Sequence, residues 1–303
     1  MVDPSYLKLL ETGELEHRVE KLKNILEDCT ICPHQCRVNR LNGERGYCRT
    51  LDKAIVSSYG PHFGEETELV GYNGSGAIFF SNCNLRCIFC QNYEISQYGI
   101  GSEVDSERLS QIMLHLQRQG CNNINLVSPS HVVPHIVEAI YLASQRGLNL
   151  PIVYNTNAYD KVSTLRFLDG IIDIYMPDIK FANDLVAYKY TGVKNYYSVA
   201  KAAVKEMYRQ VGNLKTDNRN IAYRGLLIRH LVLPQNLAGT DKIMEFIANE
   251  ISKDAYVNIM AQYYPAHRAY EFKELNRLLT RGEYEKAIES AYHAGLRNYK
   301  ASM

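Results

Sequence analysis

The sequence lacks several features that would assign it to common functional classes. Its 34 Lys and Arg nearly balance 33 Asp and Glu, a formal net charge of +1, and no stripe of interleaved basic and aromatic residues indicates a nucleic-acid partner. No apolar run approaches the ~18 residues of a membrane-spanning helix. The charged start, MVDPSYLKLLETGELEHRVEKLKNILED, is typical of an amphipathic helix rather than a signal peptide. These absences predict a cytoplasmic protein without a membrane partner.

From about residue 75 onward, short β-rich runs alternate with helical stretches. Apolar runs predict six strands, at 76–82, 123–129, 151–157, 171–181, 225–234 and 256–264. Helical periodicity predicts helices at 106–120, 132–147, 159–170, 183–211, 240–251 and 280–295. Strands that are apolar on both faces and are each followed by a helix are typical of a parallel sheet covered by helices.

The chain also lacks a Gly-rich dinucleotide fingerprint between a strand and a helix, because GYNGSG at 71–76 precedes the first strand. Six repeats without that fingerprint favour a barrel or open barrel over a doubly wound sheet. We therefore predict an α/β fold: a partial (β/α)6 TIM-like barrel over residues 75–303. A helical, cysteine-rich extension over residues 1–74 is expected to wrap this barrel.

Seven of the eight cysteines fall into two tight groups. In a chain with a large core and no export signal, such groups indicate metal ligands rather than disulfides. Cys121 stands alone and is expected to be a small buried apolar residue. The groups are Cys29, Cys32, Cys36 and Cys48, and Cys83, Cys87 and Cys90.

The second group, in CNLRCIFCQN, has the spacing C-x3-C-x2-C and no fourth cysteine. It follows the first predicted strand, at the end of the barrel where catalytic groups gather. Thiolates select zinc or iron–sulfur clusters, and three ligands leave one coordination position open for a substrate. A zinc site that borrows a distant fourth ligand is the alternative.

This motif, after the first strand of a partial α/β barrel, resembles that of the radical S-adenosylmethionine (radical SAM) superfamily. The longer match, CNLRCIFCQN together with PDIK on the fourth strand, resembles the activating enzymes of glycyl-radical proteins such as pyruvate formate-lyase. It is most similar to their PflX-like branch. The resemblance covers nearly the whole chain.

The resemblance implies a 4Fe-4S cluster held by the catalytic cysteines Cys83, Cys87 and Cys90, with S-adenosyl-L-methionine (SAM) as the ligand of the remaining iron. Reductive cleavage of SAM would give methionine and a 5′-deoxyadenosyl radical that abstracts hydrogen. The electron would come from an external flavodoxin or ferredoxin. A glycyl-radical protein or a peptide is the implied substrate, and Phe89 would lie near the adenine.

Polar side chains end the second, third and fourth predicted strands, which fits a site for a polar ligand. Related enzymes carry Gly-Gly-Glu after the second strand, whereas this chain has SPSH, so Ser128 or Ser130 is expected to contact SAM instead. Asn155 and Asp178 are candidates for the ribose hydroxyls or the amino group, and Lys180 for the methionine carboxylate. The alternative is that Asp178 and Lys180 form a surface ion pair without a catalytic role.

The N-terminal group has the spacing C-x2-C-x3-C-x11-C, which supplies four ligands over twenty residues. Four thiolates suit a closed second metal site, either zinc or an auxiliary iron–sulfur cluster. Such a site would staple a loop-rich segment or relay electrons.

Three functions remain open from the sequence. The chain is a radical SAM enzyme that activates a glycyl-radical protein, or one that modifies another peptide, RNA or small molecule. The third is a non-enzymatic iron–sulfur or zinc protein for electron transfer or binding, against which the open coordination position and the polar strand ends argue.

Arg229 and His230 face opposite sides of the fifth strand, so only one of them faces the cavity.

Overall fold

Ten strands form one sheet in the computed structural model, which describes residues 2–302. The strands are β1 (Ala54–His62), β2 (Ser75–Phe80), β3 (Ser102–Val104), β4 (Ile124–Val127), β5 (Ile152–Thr156), β6 (Ile174–Pro177), β7 (Lys215–Thr216), β8 (Ala222–Leu231), β9 (Tyr256–Met260) and β10 (Tyr299–Ser302).

Helices lie between most of the strands. They are α1 (Tyr6–Glu11), α2 (Glu14–Asn24), α3 (Thr67–Val70), α4 (Tyr93–Ser96), α5 (Ser106–Arg118), α6 (Val133–Ser144), α7 (Val162–Phe167), α8 (Asp184–Thr191), α9 (Tyr196–Val211), α10 (Thr240–Phe246) and α11 (Arg281–Ala294). A π-helical turn (Ile247–Ile251) extends α10, and short 3-10 turns occur at Arg40–Asn42, Pro234–Asn236 and Ala269–Glu271. Within residues 2–302, no helix is both long and apolar enough to span a bilayer.

The six predicted strands are all present as a parallel run in the order β9-β8-β6-β5-β4-β2. Side chains from these strands line one cavity, so the sheet curves into a partial barrel. The terminal strands β10 and β3 do not pair with each other in the described part of the chain. The α/β partial barrel is confirmed, and it is open rather than closed.

Two predicted helices are each split in two by residues that adopt left-handed backbone angles. The single helix expected at the start of the chain breaks at Gly13, where φ is 73°. The region 183–211 breaks between α8 and α9, at Gly192 (φ 74°) and Asn195 (φ 55°). Positive φ values are readily adopted by glycine and tolerated by asparagine, and they stop helix propagation.

The N-terminal extension adds a strand to the sheet, which the sequence did not reveal. β1 pairs antiparallel with β2, and its last residue, His62, lies opposite the first residue of β2, Ser75. The chain therefore runs from the cysteine end of the barrel to the opposite end before it enters α3. The division of the chain at residue 74 stays a prediction.

Residues 63–70, here named the plug segment, cover the N-terminal ends of the parallel strands. Leu69 is fully buried against an apolar cluster formed mainly by the first residues of the strands. The Asn122 and Asn123 side-chain amides donate hydrogen bonds to the carbonyl oxygens of Val70 and Leu69, at 2.7 and 2.9 Å. These bonds satisfy the free carbonyls at the end of α3 and close the barrel at this end.

Leu69→Ala is expected to lower the free energy of unfolding by about 2–5 kcal/mol, because it leaves a cavity under the plug segment. Leu185→Ala makes the same change on an 81% exposed side chain and is expected to alter stability by less than ~0.5 kcal/mol. Urea unfolding of both variants tests this. Equal losses would contradict the structural role of the plug segment.

Candidate active site

A cavity of about 420 Å³ opens at the C-terminal ends of the parallel strands. The thiols of Cys83, Cys87 and Cys90 line it together with Asp178 and Lys180. The loops after β2 and β6 both lie at the C-terminal end of the parallel sheet, and their side chains line the same cavity. The structure brings together the cysteine triplet and the two charged residues of PDIK.

The loop that carries the three cysteines is fixed by backbone hydrogen bonds to distant segments. The Ile88 N–H donates to the Tyr190 carbonyl at 2.9 Å, and the Ile88 carbonyl accepts from the Arg268 N–H at 2.8 Å. The loop begins at Asn82, where φ is 65° and the N–H bonds the Ile95 carbonyl at 2.8 Å. The positions of the thiols are therefore set by the fold.

Hydrogen-bond donors point at the Cys83 sulfur. The Leu85 N–H lies 3.3 Å and the Asn157 side-chain amide 3.4 Å from Sγ. Burial raises the pKa of Cys83 to about 11, and these two donors and the Lys180 ammonium act in the opposite direction. A soft metal removes the thiol proton on binding, and donors aimed at sulfur stabilise the resulting thiolate.

Burial also raises the pKa of Cys87, while Lys180 again opposes the shift. The Cys90 sulfur lies 3.2 Å from the Ser96 hydroxyl. In the described residues, no three His, Cys, Asp or Glu side chains converge closely enough to hold a single metal ion. A four-iron cluster is wider than one ion and holds its thiolates farther apart, so three thiols around one open cavity fit its donor set.

A chain of alternating charges forms one wall of the cavity. Lys180 Nζ donates to Asp178 Oδ2 at 2.9 Å, and Arg229 Nε donates to Asp178 Oδ1 at 2.7 Å. The guanidinium also reaches Glu65 Oε2 and Asn155 Oδ1, both at 2.9 Å. The Asn155 amide in turn donates to Glu65 Oε1 at 3.2 Å. Asp178 and Lys180 are therefore not an isolated surface pair.

The pKa values in this wall follow from burial and pairing. Burial alone would raise the pKa of Asp178, but Arg229 and Lys180 outweigh it and lower the pKa to about 2. Burial would lower the pKa of Lys180, yet Asp178 and Cys87 raise it above its ordinary value. Asp178, Lys180 and Arg229 therefore stay ionised at neutral pH.

The other predicted ligand residues divide into two sets. Phe89 and Ser128 line the cavity, and Phe89 packs edge-on against Phe181 and Tyr263, with ring centroids 6.0 and 6.2 Å away. Ser130 does not line it, and its hydroxyl lies 3.0 Å from the Thr156 hydroxyl in a buried polar cluster.

Nothing in the sequence indicated Glu65, and the sequence left open whether Arg229 or His230 faces the cavity. His230 is a core residue whose ring nitrogens bond the Ile179 carbonyl and the Thr240 hydroxyl at 2.8 and 2.9 Å. Arg229 is the member of that pair that faces the cavity. Glu65 reaches the same cavity from the plug segment, with no nearby motif to mark it.

The N-terminal cysteines lie beside the cysteine triplet. The His34 ring nitrogen Nε2 lies 2.8 Å from the carbonyl oxygen of Asn84, the residue after Cys83. The Tyr47 N–H donates to Cys36 Sγ at 3.3 Å, and the Tyr47 ring stacks on His34 at 3.8 Å. The stacked rings of His34 and Tyr47 therefore lie between the two cysteine groups.

The four N-terminal thiols are close enough to influence each other. Burial raises the pKa of Cys32, and the neighbouring thiols of Cys48, Cys29 and Cys36 raise it further, while the His34 backbone opposes the shift. No disulfide joins any of the eight cysteines.

Comparisons with known proteins agree with this architecture. The model of the radical SAM superfamily matches residues 77–222. The uncharacterized protein MJ0674 of Methanocaldococcus jannaschii is 34% identical over 293 residues, which are 94% of this chain and 80% of that protein.

Two solved structures share the fold. Streptococcus suis SuiB bound to S-adenosylmethionine has a TM-score of 0.50 and 12% identity, over 73% of this chain and 48% of that chain. HydG, a maturase of the FeFe-hydrogenase, has a TM-score of 0.50 and 11% identity, over 94% of this chain and 56% of that chain. This chain spans about half the length of each, and at these identities the likeness concerns the fold alone.

Asp178 makes stability depend on pH in a predictable direction. Its pKa of about 2 lies below the ~3.9 of an unfolded aspartate, so its ionised form stabilises the fold above ~pH 3.9 and this contribution is lost as pH falls. The difference in unfolding free energy between wild type and Asp178→Asn is expected to shrink below pH 4 by about 1.4 kcal/mol per pH unit. Urea unfolding at stepped pH measures it, and a difference that stays constant from pH 7 to 3 would contradict the pairing.

Proposed function

This chain belongs to the radical SAM superfamily, and on that premise we propose that it cleaves SAM reductively and abstracts a hydrogen atom from a second substrate. One observation carries the proposal. Three thiols and a charged wall line a single cavity, and no fourth cysteine among residues 2–302 lines it. One coordination position is thereby left for SAM.

We assign Cys83, Cys87 and Cys90 as the ligands of a 4Fe-4S cluster. When bound, this cluster would supply the electron that breaks the bond between sulfur and C5′ of SAM. The chain's own residues hold its ligands in place: the Leu85 and Asn157 donors orient the Cys83 sulfur. The proposed external electron donor is either a ferredoxin, which is an iron–sulfur protein, or a flavodoxin, which is a flavoprotein.

SAM is proposed to lie along the part of the charged wall formed by Lys180 and Asp178. Lys180 would pair with the methionine carboxylate, and Asp178 would accept a hydrogen bond from the amino group. Phe89 offers an apolar ring for the adenine, and Ser128 is the remaining polar candidate after the second parallel strand. This arrangement replaces the absent Gly-Gly-Glu motif with side chains.

The N-terminal cysteines are proposed to hold a second metal, zinc or an auxiliary iron–sulfur cluster. Their thiols influence one another around Cys32, but no three of them in the described residues converge on a single ion, so the donor set fits the wider cluster better than zinc. The stacked His34 and Tyr47 rings lie between the two cysteine groups, which favours an electron relay if the metal is iron. Zinc has no redox chemistry and would leave a structural role.

Two hydrogen donors are proposed. A glycine of a partner protein is supported by the resemblance of CNLRCIFCQN and PDIK to glycyl-radical activating enzymes. A small molecule or a chain end is supported by the plug segment, because its residue Glu65 lines the cavity and bonds Arg229 there.

Anaerobically reconstituted protein is expected to convert SAM to 5′-deoxyadenosine in the presence of a reductant, and Cys87→Ala is expected to lose about four irons per chain together with product formation. Cys121→Ala is the matched control, since Cys121 is buried away from both cysteine groups and should retain both. Chromatography and iron analysis measure the outcome. Wild-type protein that carries four irons yet leaves SAM intact would contradict the proposed activity.

Glycyl-radical activation has its own spectroscopic test. If a partner glycine is the donor, incubation with pyruvate formate-lyase, SAM and reductant should produce a glycyl radical signal in electron paramagnetic resonance. Formation of 5′-deoxyadenosine without that signal would favour the small-molecule or chain-end donor.

A further inference from the structure

The charged wall of the cavity contains two successive ion pairs rather than one. Lys180 and Asp178 form the first, at 2.9 Å, and the Lys180 ammonium lies near the Cys87 thiol. Arg229 and Glu65 form the second, also at 2.9 Å. The proposed SAM site uses the first pair and leaves the second without a function.

The second pair lies deeper in the barrel than the thiols. The Asn157 amide, one residue past the end of β5, bonds the Cys83 sulfur, whereas the Asn155 amide, within β5, bonds Glu65. At ~3.3 Å per residue of extended chain, the backbones of Asn155 and Asn157 are about 7 Å apart along the strand direction, so Glu65 is bonded at a deeper level of the barrel than Cys83. The second pair is therefore a separate subsite at the floor of the cavity.

This subsite has unused hydrogen-bonding capacity. A guanidinium carries five N–H donors, and Arg229 directs its three nitrogens to one acceptor each, on Asp178, Glu65 and Asn155. The Glu65 carboxylate accepts two hydrogen bonds of the roughly four it can accept. Both side chains line the cavity, 16% and 8% exposed, so a ligand can bond both without breaking the pair.

The charges of the wall select a ligand class. Glu65 and Asp178 balance Arg229 and Lys180, so the wall is neutral as a whole and favours a ligand without net charge. A buried carboxylate beside a buried guanidinium matches an ammonium beside a carboxylate. A ligand with only one of these charges would compete for one partner and leave the other less well paired.

We infer that Glu65 and Arg229 bind the ammonium and carboxylate groups of an α-amino acid, which is the second substrate of the enzyme. This inference rests on the proposed cleavage of SAM and names the class of its hydrogen donor. Glu65 accepts hydrogen bonds from the amino group, and the free N–H groups of Arg229 donate to the carboxylate. The N-terminal extension thereby supplies half of the substrate subsite.

The plug segment holds Glu65 rigidly enough for recognition. The neighbouring Glu66 accepts a 2.6 Å hydrogen bond from Asn258, and Glu68 accepts a 2.9 Å hydrogen bond from the Tyr256 hydroxyl. These contacts tie the residues that follow Glu65 to β9. A subsite that is organised before binding loses less free energy when it orders a ligand.

The test uses reconstituted full-length protein with SAM bound and the twenty proteinogenic α-amino acids as probes. Thermal shift screening should find at least one that binds, and calorimetry then gives its Kd. Glu65→Gln is expected to weaken that Kd about tenfold or more, because it removes a charged acceptor. Glu103→Gln, the same change on an exposed side chain that does not line the cavity, should stay within about twofold.

Ligand analogues separate recognition from a purely structural role of Glu65. The analogue without the amino group should bind wild type about tenfold more weakly, and Glu65→Gln should then cost it less than about twofold. The amide and the N-acetyl derivative distinguish a free amino acid from the first or last residue of a peptide. Both derivatives should bind more weakly than the free amino acid, and binding of either one as tightly would overturn the inference, because one of the two charged groups would then not be recognised.

The outcomes also separate this inference from the proposed function. Protein that binds SAM and forms 5′-deoxyadenosine but binds no amino acid or derivative overturns the inference alone. Equal losses for the amino acid and its des-amino analogue on Glu65→Gln would also overturn it. Wild-type protein that does not bind SAM overturns both.

Discussion

The guanidinium of Arg229 holds together segments that are far apart in the sequence. From β8 it bonds Asp178 after β6, Asn155 in β5 and Glu65 in the plug segment. Removing charges from water costs several kcal/mol per ion, and a buried pair recovers this only with good geometry and additional hydrogen bonds. Here every charged member of the wall has an opposite charge or a polar partner within 3.2 Å. These hydrogen bonds therefore fix the positions of the charged side chains in the cavity.

A fixed neutral wall beside three thiols has consequences for chemistry. The wall carries paired opposite charges and no net charge. A zwitterionic ligand can therefore pair with both signs, whereas a ligand with a single charge pairs with only one of them. The plug segment covers the far end of the barrel, where Leu69 is fully buried.

The sequence predicted the cysteine triplet and PDIK better than the pair of Glu65 and Arg229 at the floor of the cavity. The cysteine spacing and PDIK are local patterns, and the apolar runs place them at strand ends. Ser130 was expected in the cavity because it ends the same segment as Ser128, but Ser128 has a φ of 61°, so the alternation of a strand no longer applies beyond it. Strand alternation separated Arg229 from His230 without telling which of them faces inward.

Glu65 was beyond local reasoning, because it meets Arg229 across 164 residues from a charge-rich segment with no periodic pattern. The antiparallel β1 explains how it arrives there: the strand carries the chain from the cysteine end of the barrel to its closed end. The same extension contacts the opposite end of the cavity, where His34 bonds the residue after Cys83. A barrel beginning at residue 75 would lack its floor and one support of its cysteine loop. The extension and the barrel thus line the same cavity, although their sequences look unlike each other.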